Sequence, residues 1–167
     1  MSNTRKLPTG VQDFERLRTE DFLYVDKTEY VYNLTKVGLP YFLGRPRRFG
    51  KSLFLSTLKY YFLGKKELFD GLAIAGLEKE WMEYPVFYID FNLGMYTDGK
   101  SLYQTLDYYL RRFEEKWGKT EGESNPAIRF EALIRRAREK SGQKVVVLVD
   151  EYDKPLIETM DWPDIND

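Results

Sequence analysis

The chain has 167 residues, of which 43% are hydrophobic and 32% charged, and its formal net charge is only −1. This composition is ordinary for a soluble globular domain, and no apolar run approaches the roughly 20 residues of a membrane span. The sequence contains neither cysteine nor histidine, which excludes disulfides, thiolate nucleophiles, Ser-His-Asp catalysis and metal sites with thiolate or imidazole ligands.

The remaining reactive groups are carboxylates, hydroxyls and the side chains of Lys, Arg and Tyr. A bound divalent metal would therefore have oxygen ligands, which is the preference of Mg²⁺. The N-terminus carries no apolar segment of the kind that a secretory signal requires, so we expect a cytoplasmic protein without membrane attachment. The near-zero net charge gives no global attraction to nucleic acid.

The first part of the chain predicts two helices. Residues 7–10 (Leu-Pro-Thr-Gly) indicate a turn, and a short helical pattern follows over residues 11–17. Residues 22–25 look extended. A D-x-x-E start signal at Asp26 predicts a second helix, which Gly38 ends.

Residues 39–43 form an apolar run that predicts the first strand of a sheet, and a Gly-Lys-Ser turn follows at residues 50–52. The usual phosphate-binding pattern is G-x-x-x-x-G-K-[ST], the Walker A motif, whose backbone N–H groups surround the phosphates. Here the match is imperfect, because Arg45 occupies the position of the first glycine and Gly44 lies one residue too far upstream.

In this pattern Lys51 reaches the β and γ phosphates and the hydroxyl of Ser52 holds Mg²⁺. Four cations within seven residues, Arg45, Arg47, Arg48 and Lys51, are interpreted as facing phosphate; a solvated basic loop is the alternative. The predicted nucleotide-binding residues are Arg45, Arg47, Arg48, Phe49, Gly50, Lys51, Ser52 and Leu53. Lys51 is also a candidate catalytic residue.

Alternating helices and strands follow the loop and predict an α/β fold with a parallel sheet. A helix starts after the loop and ends near Gly64, and residues 86–91 predict a buried strand. Asp90, at its end, is interpreted as a turn or surface carboxylate, with a role near the nucleotide as the alternative. Two further helices are predicted, one beginning at Ser101 and one with Pro126 in its first turn and its end at Ser141-Gly142.

Residues 144–149 form a β-branched run that predicts a strand buried on both faces, and it ends in Asp150 and Glu151. The pair resembles a Walker B element at the carboxyl edge of the sheet. Asp150 would hold Mg²⁺, mainly through water, and Glu151 would be the catalytic base that activates the attacking water. The alternative is an ordinary strand-end pair that caps a turn. Asp153 and Lys154 are interpreted as structural, in a local ion pair before Pro155.

Four segments together resemble the AAA-ATPase-like family of bacterial and archaeal proteins. They are Leu7-Pro8-Thr9-Gly10-Val11, Val25-Asp26-Lys27-Thr28, Arg45-Pro46-Arg47-Arg48-Phe49-Gly50-Lys51-Ser52-Leu53 and Val149-Asp150-Glu151-Tyr152-Asp153-Lys154-Pro155. The family similarly has Arg in place of the first P-loop glycine. The resemblance implies a P-loop NTPase-like parallel sheet flanked by helices, with residues 1–38 as an N-terminal extension and 39–167 as the P-loop core through Walker B.

The resemblance also implies that the chain is the N-terminal part of a longer ATPase. Family members commonly continue into sensor residues, an arginine finger and a nuclease-like domain of the PD-(D/E)xK type. We therefore expect a sheet that is incomplete at its C-terminal side and rearranged, or completed by a strand from a partner or from another copy in a homo-oligomer.

The predicted function is binding of ATP with Mg²⁺ and slow hydrolysis. One alternative is an interaction or regulatory fragment whose nucleotide site is vestigial. Another is a nucleic-acid-associated partner of a nuclease domain. The chain itself lacks nuclease spacing, because Lys154 follows Asp153 and Tyr152 rather than a carboxylate two residues earlier.

Overall fold

A computed structural model describes residues 5–44, 46 and 49–159. The chain divides into two compact units, of which the first ends at Glu83 and the second begins at Tyr84. Each unit has its own secondary structure and buried side chains, and each is described by itself. Among the described residues no helix is long and apolar enough to cross a membrane.

The first unit is helical. Its elements are α1 (Phe14–Thr19), α2 (Thr28–Val37), α3 (Lys51–Phe62), a 3₁₀ turn (Lys66–Phe69) and α4 (Ala73–Leu77). An isolated parallel bridge joins Lys6 to Phe22. Gly38 ends α2 in the left-handed conformation, as the sequence predicted.

The start of α1 is fixed on α3 by polar contacts. The carboxylate of Asp13 caps α1 by accepting a hydrogen bond from the Arg16 N–H at 2.9 Å. The hydroxyl of Ser56, on α3, accepts from the Phe14 N–H at 2.9 Å and donates to Asp13 at 3.3 Å. The Tyr60 hydroxyl donates to the same carboxylate at 3.2 Å. One turn of α3 therefore determines where α1 begins.

Asp26 anchors two helices. One oxygen of its carboxylate accepts from the N–H and hydroxyl of Thr28, at the start of α2, and the other accepts from the Ala73 N–H at the start of α4. The Thr28 hydroxyl in turn accepts from the Ile74 N–H at 3.1 Å. Burial acts to raise the pKa of Asp26, but these hydrogen bonds outweigh it and lower that pKa. The start signal thus marked α2 correctly, while its carboxylate also caps α4.

Aromatic rings fill the centre of the first unit. Phe69 is fully buried and its ring lies 4.9 Å from that of Phe14 and 5.1 Å from that of Trp81. Other buried apolar side chains here are Leu17, Val31, Leu58, Tyr60, Leu68 and Ile74. Burial of these side chains stabilises a unit that contains no sheet among its described residues.

The second unit combines a parallel pair of strands with helices. Its elements are β1 (Val86–Asp90), a 3₁₀ turn (Phe91–Leu93), α5 (Gly99–Trp117), α6 (Pro126–Ser141), β2 (Val146–Asp150) and α7 (Lys154–Glu158). The register pairs Val86 with Val146 and Asp90 with Asp150. The described residues are thus an α/β structure with a small two-stranded parallel sheet.

A cluster of apolar side chains joins β1 to α5 and α6. Phe87 is fully buried, and its ring stacks on that of Phe113 with centroids 4.4 Å apart. Leu110, Leu133 and Ala137 complete the buried cluster. Pro126 is in the first turn of α6 and Gly142 ends it, as predicted.

The strand β2 is not buried on both faces, contrary to the sequence interpretation. Leu148 and Asp150 are buried, whereas Val147 and Val149 are 40% and 39% exposed. The pleat sends alternate side chains to opposite faces. Within the described residues, only one face of β2 is therefore covered, although the residue types are those of a fully buried strand.

One side chain of α5 bonds to the end of β1. The hydroxyl of Tyr109, a buried residue, accepts from the Asp90 N–H at 3.0 Å and donates to the Asp90 carbonyl oxygen at 2.9 Å. Pro85, just before β1, bonds through its carbonyl to the Val146 N–H on β2. Since backbone groups alternate sides along a strand, Tyr109 satisfies Asp90 on the edge that faces away from β2.

The predicted first strand is absent: residues 39–43 are all described, and none of them is in a strand. A strand requires a hydrogen-bonded neighbour, and the sheet among the described residues contains only β1 and β2. The side chains of this segment are exposed instead, with Phe42 at 72% and Leu39 at 63%. The run is apolar, as the sequence shows, but it does not pair with β1 or β2.

Candidate functional site

The N-terminus of α3 lies at the predicted phosphate-binding loop. Gly50 precedes the helix with φ of 73°, in the left-handed region. A Cβ at this position would meet no atom of the described residues within 4 Å, so the conformation favours glycine. Phe54 is the first helical residue whose N–H bonds within this turn, to the Gly50 carbonyl at 3.0 Å. The N–H groups of the three preceding residues have no intrahelical acceptor.

Three predicted binding residues occupy the first turn of this helix. Lys51, Ser52 and Leu53 are all partly exposed. Gly50, at the N-cap, has no side chain to cap the helix, and the first turn contains no acidic residue. The helix dipole and Lys51 thus both favour an anion at this end of the helix.

The other predicted residues of the loop are placed less fully. Phe49 is 63% exposed and directly precedes Gly50. The three arginines predicted to face phosphate, Arg45, Arg47 and Arg48, lie outside the described residues. Their contribution to binding therefore stays a prediction.

Two aspartates end the paired strands of the second unit. Asp90 and Asp150 are register partners, so both carboxylates lie at the carboxyl edge of the sheet. Asp150 is 7% exposed; it accepts from the Tyr88 hydroxyl at 3.3 Å and from the Glu151 N–H at 3.0 Å. Burial, and then the charge of Asp150, raise the pKa of Tyr88, so the phenol stays protonated and can donate to the carboxylate.

Asp90 combines the two roles that the sequence left open. Its carboxylate accepts from the Asn92 N–H at 2.8 Å and so caps the following 3₁₀ turn. It is also beside Asp150, and its pKa is raised, first by burial and further by that neighbouring charge, although the Asn92 hydrogen bond opposes the shift. It is thus a turn carboxylate that also adds negative charge to the strand ends.

Glu151, the candidate base, follows directly in a strained conformation. Its φ of 49° is in the left-handed region, which is uncommon for residues other than glycine. Its side chain is partly exposed, and its carbonyl accepts from the Lys154 N–H at 3.0 Å. Strain of this kind occurs preferentially at functional sites. It does not by itself assign a role.

Lys154 makes contacts that the sequence interpretation missed. Its ammonium group donates to the carbonyl oxygens of Asn92 at 3.1 Å and Gly94 at 2.7 Å. Its ion pair is with Glu158, at 3.8 Å, and not with Asp153 as the sequence interpretation expected. Sixty residues separate Lys154 from Gly94, and spacing along the sequence gives no signal for so distant a contact.

The available metal ligands are oxygen atoms. The described residues contain no group of three acidic side chains that could hold a metal by themselves. Mg²⁺ does not require such a group, because it commonly uses one or two protein oxygens together with substrate phosphates and water. The hydroxyl of Ser52 and the carboxylate of Asp150 have the donor chemistry that this ion prefers, so they fit it chemically.

The predicted residues are divided between the two units. Gly50, Lys51 and Ser52 are together in the first unit, at one helix terminus. Asp150 and Glu151 are together in the second, at one strand end. The structure therefore assembles each half of the candidate site locally.

Comparisons with known proteins agree with the motifs. The model of a family described as "Predicted AAA-ATPase" matches residues 8–167. A relative from Azotobacter chroococcum mcd 1, described as "Uncharacterized protein in vnfD 5'region", is 41% identical over 162 residues. The aligned part is 96% of this chain but 31% of the relative, so the chain spans about a third of that protein's length. No solved structure matches the chain.

The family match begins at the turn with Pro8 and continues beyond the acidic pair at the end of β2. It includes all four segments that carried the resemblance, apart from Leu7. Its description implies nucleotide binding in general terms. The chain belongs to the predicted AAA-ATPase family.

Proposed function

We propose that this chain binds ATP with Mg²⁺ and hydrolyses it slowly, as part of a P-loop NTPase fold in a cytoplasmic protein. The observation that carries the proposal is the N-terminus of α3, where a left-handed Gly50 precedes Lys51 and Ser52 in a first helical turn whose N–H groups have no intrahelical acceptor. A phosphate group matches all three features: N–H donors, the positive end of the helix dipole and a lysine.

The loop and the first turn of α3 supply several contacts to the phosphates in this proposal. Lys51 neutralises charge on the β and γ phosphates, and its charge matters most in the transition state of phosphoryl transfer. The backbone at Gly50 and Phe49 surrounds the phosphates. Arg45, Arg47 and Arg48 add contacts to the phosphates.

Ser52 and Asp150 are the proposed Mg²⁺ ligands, Asp150 mainly through water. When bound, Mg²⁺ would neutralise developing charge on the phosphate oxygens. The Tyr88 hydroxyl and the Glu151 N–H both donate to Asp150 and so orient that buried carboxylate. Hydrogen-bonded neighbours of this kind commonly orient ligating carboxylates.

Glu151 is the proposed base, which orients a water molecule and accepts its proton as the γ-phosphate is attacked. We expect slow turnover, because an arginine that stabilises the transition state supplies about 10³ to 10⁵ in rate in related systems. No residue of the described ranges is assigned to that role.

A second candidate function is that of an interaction fragment whose nucleotide site is vestigial. The exposed apolar side chains of residues 39–43 favour it, since Phe42 and Leu39 are largely solvent-exposed. In this alternative, the segment contacts a strand of a partner or of another copy, and the helix terminus of α3 binds no nucleotide.

Calorimetric titration of the 167-residue chain with ATP in the presence of Mg²⁺ distinguishes the two functions. We expect binding by the wild type, loss of binding in Lys51→Ala, and binding without hydrolysis in Glu151→Gln. Lys65→Ala is the matched control, because Lys65 is an exposed lysine just beyond the opposite end of the same helix.

The titration has clear contrary outcomes. A wild-type chain that releases no binding heat with Mg-ATP would exclude the first function for this chain and favour the interaction fragment. Equal loss of affinity in Lys51→Ala and Lys65→Ala would indicate a general charge effect rather than a phosphate site. Unchanged hydrolysis in Glu151→Gln would remove Glu151 from the role of base.

A further inference from the structure

Side chains of α7, the helix that follows β2, bind the segment that follows β1. Lys154, at the start of α7, donates to the carbonyl oxygens of Asn92 and Gly94. Glu158, at its end, accepts from the Tyr96 N–H at 2.9 Å. Two side chains of one short helix thus hold three backbone groups of residues 92–96.

The segment that accepts these contacts is itself tightly seated. Tyr96 is 2% exposed and its hydroxyl donates to the Phe91 carbonyl at 2.8 Å. A Cβ at Gly94 would lie 2.7 Å from the Tyr96 ring and 2.8 Å from the Thr105 hydroxyl. Any other residue at this position would therefore displace the Tyr96 ring or the Thr105 hydroxyl, so this packing requires glycine.

The contacts lie immediately beside the carboxylates of the proposed site. Asp90 and Asp150 are register partners, residues 92–96 follow Asp90, and only three residues separate Asp150 from Lys154. The turn between β2 and α7 contains Glu151 in its left-handed conformation and is closed by the Lys154 N–H. A side chain that holds α7 against residues 92–96 also limits movement of this turn.

We propose that Lys154 is a positioning residue, which fastens the turn that carries Asp150 and Glu151 to the segment that follows Asp90. The inference rests on the proposed function for its catalytic consequence. The ion pair with Glu158 is the less important contact of Lys154, because its 3.8 Å separation is longer than the two carbonyl contacts and its glutamate is 36% exposed. Lys154 is thus a donor to backbone more than a surface charge.

The test compares Lys154→Met, which keeps the length of the side chain without its donors, with Lys154→Arg, which restores donors and charge. Lys144→Met is the matched control, since Lys144 is an exposed lysine just before β2 in the same unit. For Lys154→Met we expect ATP affinity within about twofold of wild type but kcat lower by about 10- to 100-fold, the usual effect of losing an outer contact of a metal site. Lys154→Arg should recover most of the rate.

Hydrogen exchange supplies a readout that does not depend on ATP. In Lys154→Met we expect faster exchange of the Tyr96 amide and of amides 151–154, with no change in Lys144→Met. Wild-type exchange rates at these amides in Lys154→Met would overturn the inference. A wild-type kcat in that variant, or no recovery in Lys154→Arg, would also overturn it.

The two readouts separate the failure of this inference from the failure of the proposed function. If no variant, including wild type, binds or hydrolyses ATP, the proposed function is wrong. The faster exchange in Lys154→Met, recovered in Lys154→Arg, would then still establish Lys154 as the contact that fixes this turn.

Discussion

Gly50 and Gly76 are glycines whose replacement should affect stability in opposite directions. Gly50 has φ of 73° at the start of α3, whereas Gly76 is inside α4 with an ordinary helical backbone. At neither position would an added Cβ lie within 4 Å of another atom in the part of the chain that the structure describes. Sterics are therefore equal at the two positions, and backbone conformation alone distinguishes them.

Alanine at these positions should change stability in opposite directions. We expect Gly50→Ala to cost about 1 to 2 kcal/mol, because the left-handed region is unfavourable for a residue with a Cβ. Gly76→Ala should stabilise by about 0.5 to 1 kcal/mol, because alanine loses less entropy in a helix. Denaturant unfolding of both variants measures the two free energies; destabilisation of equal size at both positions would contradict the assignment of Gly50.

Glu78 is a buried carboxylate with four hydrogen-bond donors. It is 6% exposed; one oxygen accepts from the N–H groups of Lys79 and Glu80, and the other from the Tyr61 hydroxyl at 2.6 Å and the Lys36 ammonium at 3.3 Å. Burial acts to raise its pKa, but the donors outweigh burial and lower the pKa. The ionised form is therefore bound more favourably in the folded state than in the unfolded state.

The pH dependence follows from this direction. Below the ordinary glutamate pKa of about 4.3 the unfolded state takes up the proton first, so stability is complete above that pH and falls as acidification approaches the folded pKa. Glu78→Gln should cost about 1 to 3 kcal/mol at pH 7, because an amide nitrogen meets donors where an acceptor is needed. Thermal unfolding from pH 3 to pH 7 should be less pH-dependent in this variant than in wild type or in the exposed control Glu80→Gln.

At the scale of elements, a buried arginine joins α5 to α6. Arg129, on α6, is 4% exposed and contacts Asp107 and Glu114, both on α5, with its guanidinium donating to both oxygens of Glu114 at 2.7 and 3.0 Å. Asp107 also pairs with Arg111 on its own helix, but the Arg111 side chain is 72% exposed. The two pairs share a carboxylate and differ in burial.

Removal of the buried arginine should be far more costly than removal of the exposed one. Arg129→Met leaves two carboxylates without their buried cation, which costs about 3 to 5 kcal/mol. Arg111→Met removes an exposed pair worth less than about 1 kcal/mol. Urea unfolding of both variants provides the comparison, and a similar small loss in each would show that the helices do not depend on Arg129.

Helix ends were predictable from sequence because their signals are local. Gly38, Pro126 and Gly142 all mark helix termini as predicted, since each residue acts through its own backbone. The strand predicted at residues 39–43 was wrong, because pairing depends on a neighbour that the run itself does not specify. The same limit explains why Lys154 was assigned a local ion pair, when its closest contacts are sixty or more residues earlier.

The sequence motifs predicted which residues belong to the candidate site, but they did not predict the contacts between those residues. Gly50 and Asp150 occupy a helix start and a strand end, as their motifs indicated. Motifs do not specify the Tyr88 hydroxyl on Asp150 or the strained turn at Glu151, since both depend on how strands and turns pack. The proposed roles of these residues stay predictions until nucleotide binding is measured.

At the scale of the whole chain, nucleotide binding should appear as increased thermal stability. Ligand at about 100 times its Kd stabilises by about 2.7 kcal/mol, which corresponds to a rise in Tm of roughly 5 to 10 °C for a chain of this size. Differential scanning calorimetry with Mg-ATP should show this rise in wild type and in Lys65→Ala. The same scan of Lys51→Ala should be unaltered by ATP, and a rise there would place the binding elsewhere.

The Tyr109 hydroxyl makes the two edges of the small sheet unequal. A strand that approached β1 from its outer side would have to displace this hydroxyl from Asp90, where it satisfies both backbone groups. A strand that approached β2 would not meet it. An edge whose backbone groups are already hydrogen-bonded resists chance pairing with another strand. We therefore expect an additional strand to pair with β2, the strand that contains Val147 and Val149, rather than with β1.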